Sequence, residues 1–189
     1  MIILRSLSVF CFVGCLTKGF GLIFGNDIFL APLFKRNQAH DPRNYRGIHI
    51  TSNLSKVAER MIAFRFNRFL QLNGYRSFQW AYCKGFGARD LLCYLVNSWI
   101  LAFCRGQMIG TYKGDISSAF DRVYKQFLLA KLRQIGIGDK LCDFFDAYLS
   151  ARIGQVVVAG ASSSEFELSD MVWQGTVLGC VLWNCFSAM

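Results

Sequence analysis

The strongest constraint on the fold is the succession of a strand, an acidic residue and a helix in the middle of the chain. Residues 107–116 form a run that is typical of a short β-strand, and Asp115 stands near its end. Small residues follow, and the apolar spacing of residues 119–135 predicts a helix. A carboxylate between a strand and a helix can bind Mg²⁺ beside a triphosphate. The alternative is that Asp115 only caps the helix or closes a turn.

Apolar periodicity predicts several further elements, and their order limits the fold class. Four more helices are expected at residues 53–72, 88–104, 139–149 and 177–188, and a hairpin at residues 154–159 and 165–172. Cys93 and Cys104 lie in an apolar helix and are expected to be buried free thiols. Because helices and strands do not alternate regularly, the predicted class is α+β rather than a doubly wound sheet.

The composition is that of a folded chain without a disulfide framework. At 189 residues, 53% of them hydrophobic, the chain can bury a sizeable core and is not disordered. The eight cysteines include no C-x-x-C pair, and His40 and His49 are the only histidines. These counts predict neither a zinc site nor a secreted disulfide scaffold, and a reducing compartment is expected.

The positive charge is concentrated in one part of the chain. Residues 31–89 hold eleven Lys/Arg and two Asp/Glu, so the whole formal excess of +9 lies there. Such a block favours a phosphate-rich partner, although a solvated basic face is the commoner explanation. Aromatic residues interleave with these charges and suit stacking on bases, but helical spacing assigns most of them to the core.

The N-terminal segment, residues 1–30, is apolar and differs from the rest of the chain. It resembles the hydrophobic part of a signal peptide but has no clear cleavage site, and no run reaches about 18 apolar residues. We interpret it as a leader in front of a fragmentary reading frame, and we expect an intracellular protein of the nucleus or cytoplasm. A cleaved signal or a membrane anchor is the alternative interpretation.

Four stretches together resemble the reverse transcriptase domain of non-LTR (LINE-type, jockey-like) retrotransposons. The first is A-P-L-F-K with D-P-R-N-Y-R-G-I (31–35 and 41–48), continuing to Thr51 and Ser52, and the second is Q-W-A-Y-C-K-G with A-R-D (79–85 and 88–90). The third is D-I-S-S-A-F-D-R-V (115–123) and the fourth is W-Q-G-T-V-L-G (173–179). The resemblance covers residues 31–189 and implies part of a right-hand polymerase. Fingers are expected at about 31–106 and the front of the palm at about 107–189, so the domain is truncated.

The resemblance also implies roles for single residues. Asp115 would be the first catalytic carboxylate and would bind Mg²⁺ together with the main-chain carbonyl of Ile116. Phe120 would be the steric gate that excludes a ribose 2′-hydroxyl. The expected nucleotide- or template-binding residues are Arg46, Lys84, Ser118, Ala119, Phe120, Gln174 and Gly175. The implied partners are an RNA template, a DNA primer and deoxynucleoside triphosphates.

Some positions depart from the pattern of the family. Cys83 stands where an arginine is usual, and Trp173 and Cys180 stand where prolines are frequent. The second carboxylate pair of the family, in an A-D-D hairpin, has no counterpart, since the sequence contains no Asp-Asp dipeptide. One carboxylate cannot hold two metal ions, so this chain alone is expected to bind nucleic acid weakly and to catalyse little or nothing. The alternatives are a non-catalytic RNA-binding module, maturase-like or a decayed retroelement product, and a structural or membrane protein.

Overall fold

Helices and one sheet make up the fold, in an order that confirms the predicted mixture of both. The computed structural model describes residues 27–74, 79–168 and 171–187. Its helices are α1 (Asn53–Leu72), α2 (Ala88–Cys104), α3 (Lys125–Gln134), α4 (Asp139–Tyr148) and α5 (Val177–Ser187). Its strands are β1 (Asp27–Phe34), β2 (Tyr45–Ile50), β3 (Arg152–Val158), β4 (Ala161–Ser162) and β5 (Phe166–Leu168).

The sheet joins the first two strands of the described chain, β1 and β2, to the three strands that follow α4. Its order is β2-β1-β3-β4, with β5 also paired to β3. Strands β1 and β3 run parallel, with Ile28 opposite Gly154, whereas the other pairs are antiparallel. Strand β1 begins at Asp27, so residues 27–30 belong to the sheet; the rest of the proposed N-terminal leader lies outside the described residues.

The core lies between α1, α3, α4 and α5. Phe66 of α1 packs against Phe145 of α4 at a centroid distance of 5.5 Å, and Leu132 and Leu182 are fully buried beside them. Helix α1 buries one stripe because Ser55, Ala58, Ile62, Phe66 and Phe69 recur at helical spacing. This core holds the start of α5 and the turn before it in place.

Helix α2 has the predicted bounds but not the predicted environment. None of its residues is buried, and Cys93 and Cys104 are exposed, so the expectation of two buried thiols is wrong. Burial depends on what packs against a helix, and little packs against α2 within the described residues. Most aromatic residues of the basic segment 31–89 were also expected in the core, and this expectation is wrong. Among those that the structure describes, only Phe66 and Phe69 are buried.

The predicted strand 107–116 is not formed. This segment is irregular, and Met108 and Tyr112 are 98% and 95% exposed. A strand needs a hydrogen-bonding neighbour, and no described strand runs beside these residues. Within the described residues, no helix combines the length and the apolar character needed to cross a membrane.

The predicted helix 119–135 is interrupted. Phe120–Arg122 form a short 3₁₀ turn, Val123 and Tyr124 are extended, and α3 begins only at Lys125. Val123 is 2% exposed, so the extended backbone places a β-branched side chain in the core and redirects the chain. The predicted helix start at residue 119 is therefore wrong as well.

Candidate functional site

The turn at Gln174 and Gly175 is bound to strand β2. The Gln174 carbonyl accepts the His49 backbone N–H at 2.9 Å and lies 3.0 Å from His49 Nδ1. Because a carbonyl only accepts, Nδ1 must carry the proton. Gly175 has φ +99°, and a Cβ there would lie 2.9 Å from Ile48 Cγ2 and 3.3 Å from the His49 carbonyl oxygen. The turn therefore requires a glycine for its conformation and for its close approach to β2.

Gly175→Ala is expected to reduce the free energy of unfolding by about 1–3 kcal/mol, because it adds both strain and a steric clash. Urea unfolding followed by circular dichroism measures the loss. Gly160→Ala is the matched control, since Gly160 has φ +84° but no atom within 4 Å of a Cβ. Equal losses in the two variants would mean that the contact with β2 contributes nothing.

Glu59 holds the other side of the turn. Its Oε2 accepts the backbone N–H groups of Val177 at 2.7 Å and Leu178 at 3.2 Å, and its Oε1 accepts the Ser55 hydroxyl at 3.1 Å. These N–H groups are at the start of α5, where they have no partner within the helix. A carboxylate there also interacts favourably with the helix dipole. The fully buried Glu59 side chain thus ties α1 to the start of α5.

The surroundings of Glu59 act on the pKa of its carboxyl group in opposite directions. Burial raises the pKa of Glu59, whereas the hydrogen bonds from Leu178, Val177 and Ser55 and the Tyr148 hydroxyl lower it. Burial is the larger effect, so the pKa lies above its ordinary value. The buried carboxylate therefore depends on its donors to remain charged.

A buried layer of aromatic rings and one cation lies next to the turn. Trp173 Nε1 donates to the Tyr148 carbonyl at 3.0 Å, and Arg152 Nη2 donates to the same oxygen at 2.8 Å. The Arg152 guanidinium carbon is 5.4 Å from the Trp173 ring centroid, and the His49 ring meets Trp173 at 5.3 Å. Trp173, at a position where the family often has proline, is thus a fully buried anchor.

His49 is 4% exposed in this layer. Burial lowers its pKa below the ordinary 6.5; the Gln174 carbonyl and Asp121 act in the opposite direction, and Arg152 lowers it further. The neutral form is therefore favoured in the folded protein. Protonation would place a charge beside Arg152 in a buried site.

Because the folded pKa of His49 is depressed, its contribution to stability is full above pH 6.5 and is lost as the pH falls toward the folded pKa. Relative to His49→Gln, the wild type is expected to lose up to about 1.4 kcal/mol of unfolding free energy per pH unit in that window. Urea titrations at several pH values measure the difference. His40→Gln is the control, because His40 is exposed and should leave the wild-type dependence intact. Parallel curves for wild type and His49→Gln would contradict this assignment.

Phe120 connects the third stretch to the second and to residues that flank the fourth. Its ring lies 6.1 Å from Tyr82 and 5.6 Å from Trp183, and its carbonyl accepts the Val172 N–H at 3.4 Å. Burial raises the pKa of Tyr82, while the nearby Arg46 charge lowers it. Phe120, Arg46 and the residues before Gln174 therefore lie in one region.

The second stretch is attached directly to α5. Gln79 Nε2 donates to Asn184 Oδ1 at 2.7 Å, and Asn184 Nδ2 donates to the Ala81 carbonyl at 3.1 Å. Asn184 is buried, so its amide is satisfied on both sides by one segment. Cys83, which replaces the usual arginine, is half-buried and donates to the Gln79 carbonyl at 3.1 Å.

The other residues that the resemblance predicted for the site are mostly exposed to solvent. Asp115, Lys84 and Ser118 are exposed, Ala119 is half-buried, and Ile116 is 59% exposed. Ser118 has φ +53°, a left-handed conformation, and its carbonyl accepts the N–H groups of the following 3₁₀ turn.

The described residues do not form a two-metal site. Among them, no three His, Cys, Asp or Glu side chains lie close enough together to hold a metal ion. Within this part of the chain Asp115 makes no ion pair with a basic side chain. The segment around Asp115 can offer a single carboxylate and the Ile116 carbonyl, which is fewer ligands than Mg²⁺ needs.

The buried polar residues behind the turn were not predicted from the sequence. Glu59, Tyr148 and Arg152 all lie outside the four stretches. The sequence does indicate that Glu59 is unusual, because its spacing places it on the apolar stripe of α1 with Ser55 and Ile62. A buried acid at such a position requires hydrogen-bond donors or a cation. Nothing in the sequence indicates that those partners are the N–H groups of α5.

The curated proteins that are similar to this chain are of the same class as the one that the four stretches resemble. No family model matches the chain. It is 29% identical over 148 residues to the probable RNA-directed DNA polymerase from transposon X-element of Drosophila melanogaster, and 28% identical over 148 residues to that from transposon BS. It is 29% identical over 155 residues to the RNA-directed DNA polymerase from mobile element jockey of Drosophila funebris.

These alignments include 78–80% of the chain but only 16% of each relative. The chain therefore spans about one sixth of the length of the curated relatives that it matches. The resemblance to RNA-directed DNA polymerases of non-LTR retrotransposons, predicted from four short stretches, is thereby confirmed over most of the chain.

Proposed function

We propose that this chain is the fingers and the front of the palm of an RNA-directed DNA polymerase. The observation that carries the proposal is the contact between Phe120 of the third stretch and Tyr82 of the second. The Phe120 carbonyl also accepts the N–H of Val172, two residues before Gln174. In this proposal Gln174 and Gly175 contact the template and the incoming nucleotide, and Phe120 excludes a 2′-hydroxyl. The substrates are an RNA template, a DNA primer and deoxynucleoside triphosphates.

The chemical roles follow from the residue types. Arg46 and Lys84 are exposed cations and suit phosphate oxygens. Ser118 and Ala119 would offer backbone N–H groups to the same phosphates. Asp115 and the Ile116 carbonyl would be ligands of Mg²⁺ in the full polymerase, where further carboxylates are required.

A primer-extension assay tests the proposal, with an RNA template and a labelled DNA primer. The chain alone should extend the primer little or not at all. The chain joined to the polymerase segment that follows the matching region in the X-element relative should extend it in the presence of Mg²⁺. Asp115→Ala in that longer protein should reduce the rate by at least about a hundredfold, because metal ligands contribute several kcal/mol.

Asp143→Ala is the control for this test, since Asp143 is an exposed acid on α4. It should leave the extension rate unchanged. Extension that is insensitive to Asp115→Ala would overturn the proposal. Salt-sensitive RNA binding without any extension by the longer protein would instead favour the non-catalytic RNA-binding module.

A further inference from the structure

The outer side of α1 carries a ridge of basic residues with one aromatic ring among them. Lys56, Arg60, Phe64 and Arg68 are spaced four residues apart, so they follow one line along the helix. Successive side chains on this line are separated by about 6 Å. Phe64 is 70% exposed, the two arginines are exposed, and Lys56 is half-buried. We call this line, with its neighbours Val57, Met61 and Arg65, the α1 outer face.

The chain itself does not neutralise the charge of this face. The only acid on α1 is Glu59, which is fully buried on the other side and bound to the start of α5. In the described part of the chain, none of Arg60, Arg65 and Arg68 forms an ion pair. The face therefore presents four basic side chains without a compensating acid.

The apolar members of this face distinguish it from an ordinary solvated surface. Val57 and Met61 are 52% and 49% exposed next to Phe64. Large apolar groups left in water between arginines favour a ligand that offers both negative charge and flat apolar rings. A single nucleic-acid strand has this chemistry, because its phosphates attract the arginines and its unpaired bases can stack on an aromatic ring. In a duplex the bases are already stacked on one another, so Phe64 would gain no contact.

We propose that the α1 outer face binds a single strand of RNA, with Phe64 stacked on a base and Arg60, Arg65 and Arg68 at the flanking phosphates. The inference rests on the proposed function in taking RNA as the strand. It adds a binding surface that lies outside the four polymerase-like stretches.

Fluorescence anisotropy of a labelled 12-nucleotide oligouridine tests the proposal with the full chain over a range of KCl concentrations. Phe64→Ala is expected to weaken binding roughly five- to a hundredfold without changing the salt dependence. Arg68→Ala should weaken binding and lower the slope of log K against log salt by about 0.7. Circular dichroism confirms that each variant is folded.

Phe127→Ala is the matched control for the ring. Phe127 is 65% exposed on α3, outside the α1 outer face, and its loss should leave RNA affinity unchanged. Arg105→Ala is the corresponding control for charge, because Arg105 is exposed at the end of α2. Equal effects of Phe64→Ala and Phe127→Ala would overturn the proposal. Tighter binding of a duplex than of a single strand would overturn it too.

A second readout separates this proposal from the proposed function. An oligonucleotide with one 2-aminopurine should change its fluorescence on binding the wild type, and this change should be lost in Phe64→Ala. Asp115→Ala should leave the signal and the affinity intact, although it stops extension by the longer protein. A lost 2-aminopurine signal in Phe64→Ala without any primer extension would contradict the polymerase proposal alone. Extension with no effect of Phe64→Ala on binding would contradict only the α1 outer face.

Discussion

Replacing Glu59 with alanine is expected to reduce the free energy of unfolding by about 3–5 kcal/mol. The substitution leaves the N–H groups of Val177 and Leu178 without their acceptor and removes the partner of Ser55, all in a buried place. It also removes a negative charge near the buried cation Arg152. Urea unfolding measures the loss, and hydrogen exchange should localise it to the first turn of α5.

Two other substitutions show whether charge or volume matters at Glu59. Glu59→Gln preserves the volume and one acceptor oxygen but brings two N–H donors toward a site that already contains donors. Its expected loss is about 1–3 kcal/mol. Glu165→Ala, at an exposed position, should change stability by less than about 0.5 kcal/mol. A Glu59→Ala variant as stable as Glu165→Ala would mean that the carboxylate does not hold α5.

Trp173→Ala is expected to reduce the free energy of unfolding by about 3–5 kcal/mol, because it removes a fully buried indole next to the turn. The ring contacts His49 and lies over Arg152, so the cavity would open beside the bonds that hold Gln174. Thermal and urea unfolding both measure this effect. In the longer polymerase the same variant should also lower primer extension, since the turn would lose its support.

Trp173→Phe separates the hydrogen bond from the ring. Phenylalanine retains most of the apolar contact but has no donor for the Tyr148 carbonyl. That carbonyl still accepts a hydrogen bond from Arg152. A loss of about 1–2 kcal/mol is therefore expected. Trp80→Ala is the comparison for a half-buried tryptophan and should lose about 1 kcal/mol. If Trp80→Ala were the more damaging change, Trp173 would not be the anchor of the turn.

Four of the five helices could be predicted well because local signals determine their ends, whereas α3 begins six residues later than predicted. Helix α1 has the predicted bounds, and the Ser52 side chain accepts the Ser55 N–H at 3.1 Å as an N-cap. Helix α2 also has its predicted bounds, although all of its residues lie outside the core. Spacing along the chain therefore predicted the helical elements, but burial was decided by distant parts of the chain.

The strands and the site were harder to predict, because they depend on partners far away in sequence. Strand β1 crosses the expected boundary of the leader, and β2 (Y-R-G-I-H-I) lacks a clear alternation of polar and apolar residues. The motifs predicted Gln174 and Gly175 as binding residues, but they did not indicate the contacts of the turn with His49 and Glu59. Those contacts come from β2 and α1, more than a hundred residues earlier.

The parallel pairing of β1 with β3 has a consequence for synthesis. Ile28 and Gly154 are opposite each other in the sheet, so β1 leaves the ribosome long before its partner is made. At about 5–20 residues per second, this delay is roughly 6–25 s. During that time β2 can cover one edge of β1, while the other edge is open to any extended segment nearby. We therefore expect neighbouring nascent chains on one polysome to compete for that edge until β3 is made.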